Sequence, residues 1–456
     1  MKKLATSLLA LMLLIRLHAQ ETPVFKPLRY DEDYSYFKSD TIKSYWYKNT
    51  KFQPLSKDKS RYISFGGDFR YQYFYFNNEG WGKEPKDKDG YLLSRFLGHA
   101  DFHTGDRFRV FAQLQSSLAN GKINSSPVDE NQLELHQLFA DAVLYKHSGK
   151  QLTVRLGRQE MQYGSQRVIS TREGPNNRQS FDGTKLMYTT GNVQVDGFFT
   201  RYVQAQRGIF DDHWNKNLKF WGAYGVINNI PLLKHVDLYY LGIWRRNAAF
   251  DKTTDRELRH SAGTRIWNDG RKWSYDVETI YQWGKFGEQL IAAWTLSSNT
   301  TYRITNTGLA PEFNLKADII SGNKGGSNFN TFNPLFPRGA YFGYAAIIGP
   351  SNLMDIHPTA AFSLTKKLIA GLGYDIFWRY STTDGIYGPG GTLLFSGKDV
   401  AGKYIGDQWS VDMVYTPNSF MYFRAECTWF DAGTFLKNAG PGKDILFTGA
   451  TLQVKF

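Results

Sequence analysis

The sequence contains one cysteine, Cys427, among 456 residues. That excludes a disulfide framework and a metal site built on several thiolates. Beyond the first 20 residues no apolar run approaches the 18 or so needed for a transmembrane helix. There is no G-x-S-x-G elbow, H-E-x-x-H pair, Walker loop or G-x-G-x-x-G turn, so the common hydrolase, zincin and nucleotide chemistries have no local support. "DKDG" at 87–90 begins like a calcium loop but lacks the later acid, and reads as a solvated loop tip. His99 and His103 would share a strand face but stand too far apart for simple joint ligation. His147 and Ser148 fall in a short turn. No catalytic residue, metal or cofactor is expected, and the chain is not expected to be an enzyme.

Aromatic residues are abundant: 12 Trp, 28 Tyr and 33 Phe. The mean hydropathy is nonetheless −0.45. A soluble chain of this length usually divides into several domains, whereas a large β-barrel is one closed wall without a conventional core. Residues 1–20, "MKKLATSLLALMLLIRLHAQ", read as a secretory signal peptide, with Lys2 and Lys3 ahead of an apolar stretch too short to span a bilayer. Losing Lys2, Lys3 and Arg16 with it lowers the formal net charge from +13 to +10. Export of a basic protein makes nucleic acid an improbable partner and favours a membrane surface or an acidic ligand. An exported chain without disulfides fits a Gram-negative envelope.

Period-two alternation recurs along the chain. In "WSYDVETIYQW", Trp273, Tyr275, Val277, Thr279, Tyr281 and Trp283 share one face, against Ser274, Asp276, Glu278 and Gln282. "LIAGLGYDIFWRY" and "FRAECTW" repeat the pattern at 368–380 and 423–429. Strands of about ten residues with aromatics toward their ends suit a lipid-facing wall rather than a soluble sandwich. Short turns at 103–106, 147–150, 189–192, 268–271, 365–367 and 416–419 alternate with longer links at 76–90, 119–132, 159–180, 204–217, 247–257, 322–352, 381–406 and 432–444. The expected fold is all-β: one large transmembrane antiparallel barrel of about 18 strands over 61–456, with short periplasmic turns and long external loops. An even count puts both ends in the periplasm. Residues 21–60 read as a periplasmic extension. The alternating last strand, ending on Phe456, matches what the barrel-assembly machinery reads. The expected location is the outer membrane, in contact with lipid and lipopolysaccharide, and the expected state is a monomer.

If the aromatic faces meet lipid, the charged faces meet the lumen. Arg95, His99 and Asp101 share a parity, as do Asp68 and Arg70, Asp375 and Arg379, and Arg424 and Glu426. An arginine toward lipid would cost about 2–4 kcal/mol at the midplane. Rings of arginine select anions, and carboxylates tether guanidinium groups by bidentate pairing. Between strands, "RLGRQEMQYGSQRVISTREGPNNRQSFDG" places Arg155, Arg158, Arg167, Arg172 and Arg178 beside one long link, with Glu160, Glu173 and Asp182 as internal partners. That link either folds inward and narrows the pore or stays exposed and meets lipopolysaccharide phosphates.

This stretch, together with "NPLFPRGAYFGYAAIIGPSNLMD", "FQPLSKDKSRYISFGGDFRYQYF" and "GDQWSVDMVYTPNSFMYFRAECTWFDAGTFL", resembles the alginate export family of outer-membrane barrels, in order over nearly the whole mature chain. The resemblance implies an 18-stranded barrel whose electropositive, arginine-lined pore passes an acidic polysaccharide such as alginate outward. It implies pore or constriction positions for Arg155, Arg158, Glu160, Arg167 and Asp182, lumen positions for Arg95 and Arg379, and an inward loop at or beside Arg338. With Arg424 and the carboxylates Asp375 and Glu426, these form the expected anion pathway. The short late turns, such as "TPNS" at 416–419, leave any gate to the external links 159–180, 322–352 or 381–406. Three other readings stand beside passive anion export. They are a porin taking up small acidic nutrients, a lipid-acting barrel enzyme, and a structural barrel with a blocked lumen.

Overall fold

A wall that is apolar outside and polar inside has to close on itself, because an open edge would leave unpaired amides in hydrocarbon. The computed structural model describes residues 23–39, 45–251, 253–305 and 307–456, so the expected signal peptide lies outside the described residues. Eighteen long strands follow one another: β1 (Arg61–Asn77), β2 (Tyr91–Thr104), β3 (Phe108–Asn120), β4 (Asn131–His147), β5 (Lys150–Gln159), β6 (Phe181–Thr190), β7 (Val193–Gln204), β8 (Leu218–Ile230) and β9 (Lys234–Phe250), then β10 (Thr253–Asn268), β11 (Trp273–Phe286), β12 (Gln289–Arg303), β13 (Glu312–Ile320), β14 (Leu353–Thr365), β15 (Leu368–Arg379), β16 (Tyr404–Asn418), β17 (Met421–Ala432) and β18 (Ile445–Lys455). Each pairs antiparallel with the next, and β1 closes onto β18 from Asp68↔Lys455 to Asn77↔Leu446. Among the described residues no helix is long and apolar enough to cross a membrane; the chain crosses with strands.

The alternation in the sequence maps onto the two faces of this wall. Phe65, Phe69, Tyr71 and Tyr73 of β1 are exposed outward, while Ser64, Asp68, Arg70 and Gln72 are buried toward the lumen. Trp273, Val277, Tyr281 and Trp283 of β11 likewise face out, opposite the buried Glu278 and Gln282.

One expected long link is absent. After Phe250 the next strand starts already at Thr253, and the link after Phe286 is likewise short, only Gly287 and Glu288. The cause is hydrogen bonding that continues beyond the neighbouring strands' ends: β9 and β10 pair as far as Phe250↔Thr253 across an irregularity at Arg245/Ala248. The polar residues at 247–257 therefore extend a hairpin instead of forming a loop.

The described residues of the expected extension, 23–39 and 45–60, fold into the barrel's short-turn mouth. Tyr34, Phe37, Tyr47 and Phe52 pack with Tyr62 and Phe420, and Gln53–Pro54 adds a short strand on β1. Tyr30 reaches further in, its ring edge-on to the lumen-facing Phe111 and Phe139 at 5.9 and 5.2 Å. Arg29 donates to the carbonyls of Gly67 and Phe456, and Lys51 donates to Phe456 as well, so the segment clasps the closing seam. An aromatic-rich but aperiodic stretch gives no sign of where it docks, which is why it read as an extension.

Candidate functional site

Two external links fold into the lumen. Residues 160–180, between β5 and β6, meet residues 321–352, between β13 and β14, through an isolated bridge Ile169↔Phe336. Phe336 N–H donates to Val168 and Arg338 N–H to Gln166, at 3.0 and 3.1 Å. Phe336 inserts among Phe181, Tyr202 and Phe220, its ring centroid 4.9–5.5 Å from theirs. Burying these rings inside a polar-walled barrel is what holds the links inward. The inward alternative for the arginine-rich link is therefore the one adopted.

Ion pairs bolt the first link to the wall. Glu173 receives Arg95 at 2.6 Å and Arg178 at 3.0 Å, with Arg70 at 3.6 Å. Arg70 also donates to the carbonyls of Glu173 and Pro175. Burial pushes the Glu173 carboxyl up, but the three guanidinium groups outweigh it and hold the group well below the usual carboxylate range. Arg178 continues to Glu160 at 2.7 Å, and Glu160 meets His136 at 2.8 Å. On the opposite side Arg167 pairs with Glu278 and Asp318, each at 3.0 Å.

The expected pore arginines thus fall into distinct groups. Arg95, Arg155, Arg167 and Arg424 are lumen-facing and neutralised. Arg155 is bidentate on Asp141 and lies 4.2 Å from the Tyr30 ring centroid. Arg424 pairs with Asp412 and Glu426 at 3.1 and 3.0 Å. Asp375 is also inward and buried, with His357 at 3.2 Å.

Arg158 and Asp182 depart from the expectation. They form a bidentate cross-strand pair, but on the outward parity, shared by Leu156 and Leu138 at 54% and 44% exposure. Arg158 also donates to the carbonyls of Leu135 and Asp212 in the long-loop rim and lies 3.6 Å from Glu134. A pair of opposite charges at the rim avoids the midplane penalty, so the count of arginines around this link overstates the lumen by one.

Arg379 has the inward parity but no access to the pore. It is 0% exposed, its guanidinium donates to the carbonyls of Thr382, Asp384, Val400 and Gly402, and it stacks 3.9 Å from the Phe435 ring. It staples the links 380–403 and 433–444 together instead of lining a conduit.

Arg338 stands alone. It is exposed, forms no ion pair among the described residues, and its guanidinium makes only a long contact to the Tyr341 carbonyl, 3.5 Å. It lies at the meeting of the two inward links, within electrostatic reach of Lys316 and His357 on the wall. The partners that silence the other arginines, such as Asp141, Glu278 and Asp318, lie on strands apart from them in sequence. Only inward parity marks them in advance.

The alginate export family model matches residues 61–444. No curated relative matches the sequence. Solved structures share the fold at low identity. OccK1 (OpdK) of Pseudomonas aeruginosa is 11% identical, with a TM-score of 0.55 over 86% of this chain and 98% of that one. OccK11 (OpdR) of the same organism is 13% identical, with a TM-score of 0.53 over 89% and 99%. OccK2 (OpdF) of that organism, in complex with glucuronate, is 11% identical, with a TM-score of 0.54 over 87% and 98%. With the closed 18-stranded wall and the match across nearly all of it, this chain belongs to the alginate export family and is an outer-membrane β-barrel channel protein.

Proposed function

We propose that the protein is a passive, anion-selective channel in a Gram-negative outer membrane and conducts acidic saccharides. Export of an acidic polysaccharide such as alginate is the reading that its family favours. The observation that carries the selectivity is Arg338: an exposed guanidinium without a carboxylate partner where the two inward links meet. Neutralised pairs such as Arg155–Asp141 act as short dipoles, whose field fades within a few ångströms in salt water. An unpaired charge at a constriction attracts anions to the narrowest part of the path. The paired arginines hold the links that make the constriction.

Uptake of small acidic nutrients is the second reading. It is favoured by the lumen's occupants, since two links lie inside the wall and residues 23–39 and 45–60 fill its short-turn mouth, and by glucuronate in a neighbour of the same fold. Direction in a passive pore follows the gradient in either case. Planar-bilayer recording under a salt gradient tests the proposal, with polyuronate and then glucuronate added to one side. Anion-selective current that either solute blocks supports it. Block by polyuronate favours the export reading, and block by glucuronate alone favours uptake. Cation-selective or silent channels refute it.

A further inference from the structure

Beyond the pore, a separate cluster sits at the long-loop mouth. The link 205–217, between β7 and β8, folds back over the start of β4: Gln132 N–H donates to Arg207 and Phe210 N–H to Leu133, beside a bridge Leu133↔Ile209. This docking brings Glu134 together with Asp211 and Asp212, with one carboxylate oxygen of each within 4.8 Å of the others. Glu134 is 3% exposed. Three carboxylates at that spacing repel one another strongly unless something positive lies among them. The nearest cation does not suffice. Arg158 is 3.6 Å from Glu134 and its charge is committed to Asp182, bidentate at 2.9 and 3.2 Å.

A second observation points to the missing group. Asn131 is 0% exposed, and its amide lies against Asp212, Nδ2 donating at 2.9 and 3.1 Å, while its Oδ1 is buried without any hydrogen-bond partner. A buried amide oxygen left unpaired carries an energetic penalty. A half-turn of this amide would present Oδ1 to the cluster as a fourth oxygen. We propose that Glu134, Asp211, Asp212 and the Asn131 amide bind a calcium ion that clamps the 205–217 link onto β4. Oxygen-only donors of mixed charge, with no imidazole or thiolate, suit Ca²⁺, and the exposed Asp211 side leaves room for water ligands. With Arg158 and Asp182 cancelling each other, the three carboxylates leave an excess of negative charge that a divalent cation largely offsets.

The test uses the full-length barrel, refolded in lipopolysaccharide-free detergent, with Tb³⁺ luminescence displaced by Ca²⁺ and direct calorimetric titration of Ca²⁺. One saturable site per chain is expected, with a dissociation constant on the order of 10⁻⁴–10⁻³ M, as in extracellular calcium modules. Asp212→Asn and Asp211→Asn should each weaken it about tenfold, Asn131→Ala should weaken it, and Asn131→Asp should retain it. Calcium should also slow proteolysis of the 205–217 link in the wild type but not in Asp211→Asn. Should Asp212→Asn fail to refold, Asp211→Asn, on the exposed side of the link, gives the same reading. Absence of saturable binding, or equal affinity in wild type and Asp211→Asn, overturns the proposal.

Discussion

Replacing Arg338 by Gln removes one charge that no carboxylate balances, and nothing else of consequence. The side chain is exposed, with only its 3.5 Å contact to Tyr341 to lose. Stability should therefore change by no more than about 0.5 kcal/mol. The electrostatic effect is larger. Two unit charges 4 Å apart interact by about 1 kcal/mol in bulk water and about 4 kcal/mol at an effective dielectric of about 20. A water-filled lumen with protein walls lies toward the lower end, at about 1–2 kcal/mol, or roughly a 5- to 30-fold change in local anion occupancy. The assay is the reversal potential of single channels under a salt gradient. Near 0.1 M salt, where the screening length is about 10 Å, Arg338→Gln should lose most of the anion preference; at 1 M, with a length of about 3 Å, mutant and wild type should converge. Arg167→Gln is the contrasting variant. It leaves the buried Glu278 and Asp318 short of a cation, although Tyr239 and Lys316 remain beside them, and should destabilise the barrel by about 3 kcal/mol in urea unfolding. If Arg338→Gln keeps the wild-type selectivity at 0.1 M, or if its effect persists undiminished at 1 M, an unpaired guanidinium is not the selective element.

Glu173→Gln should destabilise the barrel by only about 1–2 kcal/mol in urea unfolding, because nearly half of that side chain is open to water and Arg70 still holds the link by backbone carbonyls; it should also raise anion preference, as Arg70, Arg95 and Arg178 lose a shared counter-charge. Deleting residues 23–60 should raise single-channel conductance, since Tyr30 and its neighbours then vacate the mouth; unchanged conductance would mean that the ion path avoids them. Lys51 provides a pH dependence. Burial, with Arg29 alongside, pushes its ammonium down to about 7, so the undocked segment binds the proton more tightly than the docked one. Docking should strengthen as pH rises from about 7 toward the lysine's ordinary value of about 10.4, and show no further dependence from this group below 7; the thermal midpoint of wild type should climb over that range relative to Lys51→Met.

The wall was legible because lipid leaves no alternative. Trp273, Tyr275, Val277, Tyr281 and Trp283, on one face of 273–283, have one place to go when the other face carries Asp276, Glu278 and Gln282, and strand count and closure follow from repeating that pattern. Parity was also enough to send Arg95 and Arg424 inward, as the family resemblance did for Arg155. It could not say which carboxylate each would meet, because Arg155–Asp141 depends on the β4–β5 register, which shifts at Val143/Tyr145. Nor could it foresee Arg379, whose partners are backbone carbonyls and therefore leave no trace in side-chain identity. Arg158 and Asp182 misled for a different reason: a short basic stretch was read as one unit, while its strand end obeys alternation and turns that pair outward. The Asn131–Asp212 cluster had no motif at all, since a link from one hairpin supplies half of it and a distant strand the rest.

The surplus of basic residues does not by itself make the pore positive. A lumen-facing guanidinium has two fates: it is held by a carboxylate and becomes part of the scaffold, or it is left free and acts on the solute. Arg95, Arg167 and Arg178 took the first course, and their acids are the ones that fix the position of residues 160–180. Arg338 took the second, and it sits on the link 321–352, which is hydrogen-bonded to the residues 160–180 that those pairs place. Selectivity in such a barrel then depends on the difference between cations and carboxylates at the constriction rather than on the number of arginines in its sequence. Removing the cation of a bolt, as in Arg167→Gln, should alter selectivity chiefly by moving Arg338, whereas neutralising Arg338 should alter it with the bolts intact. A double variant, Arg167→Gln with Arg338→Gln, separates the two: if position is what Arg167 supplies, the second substitution should remove little further anion preference once the first has been made.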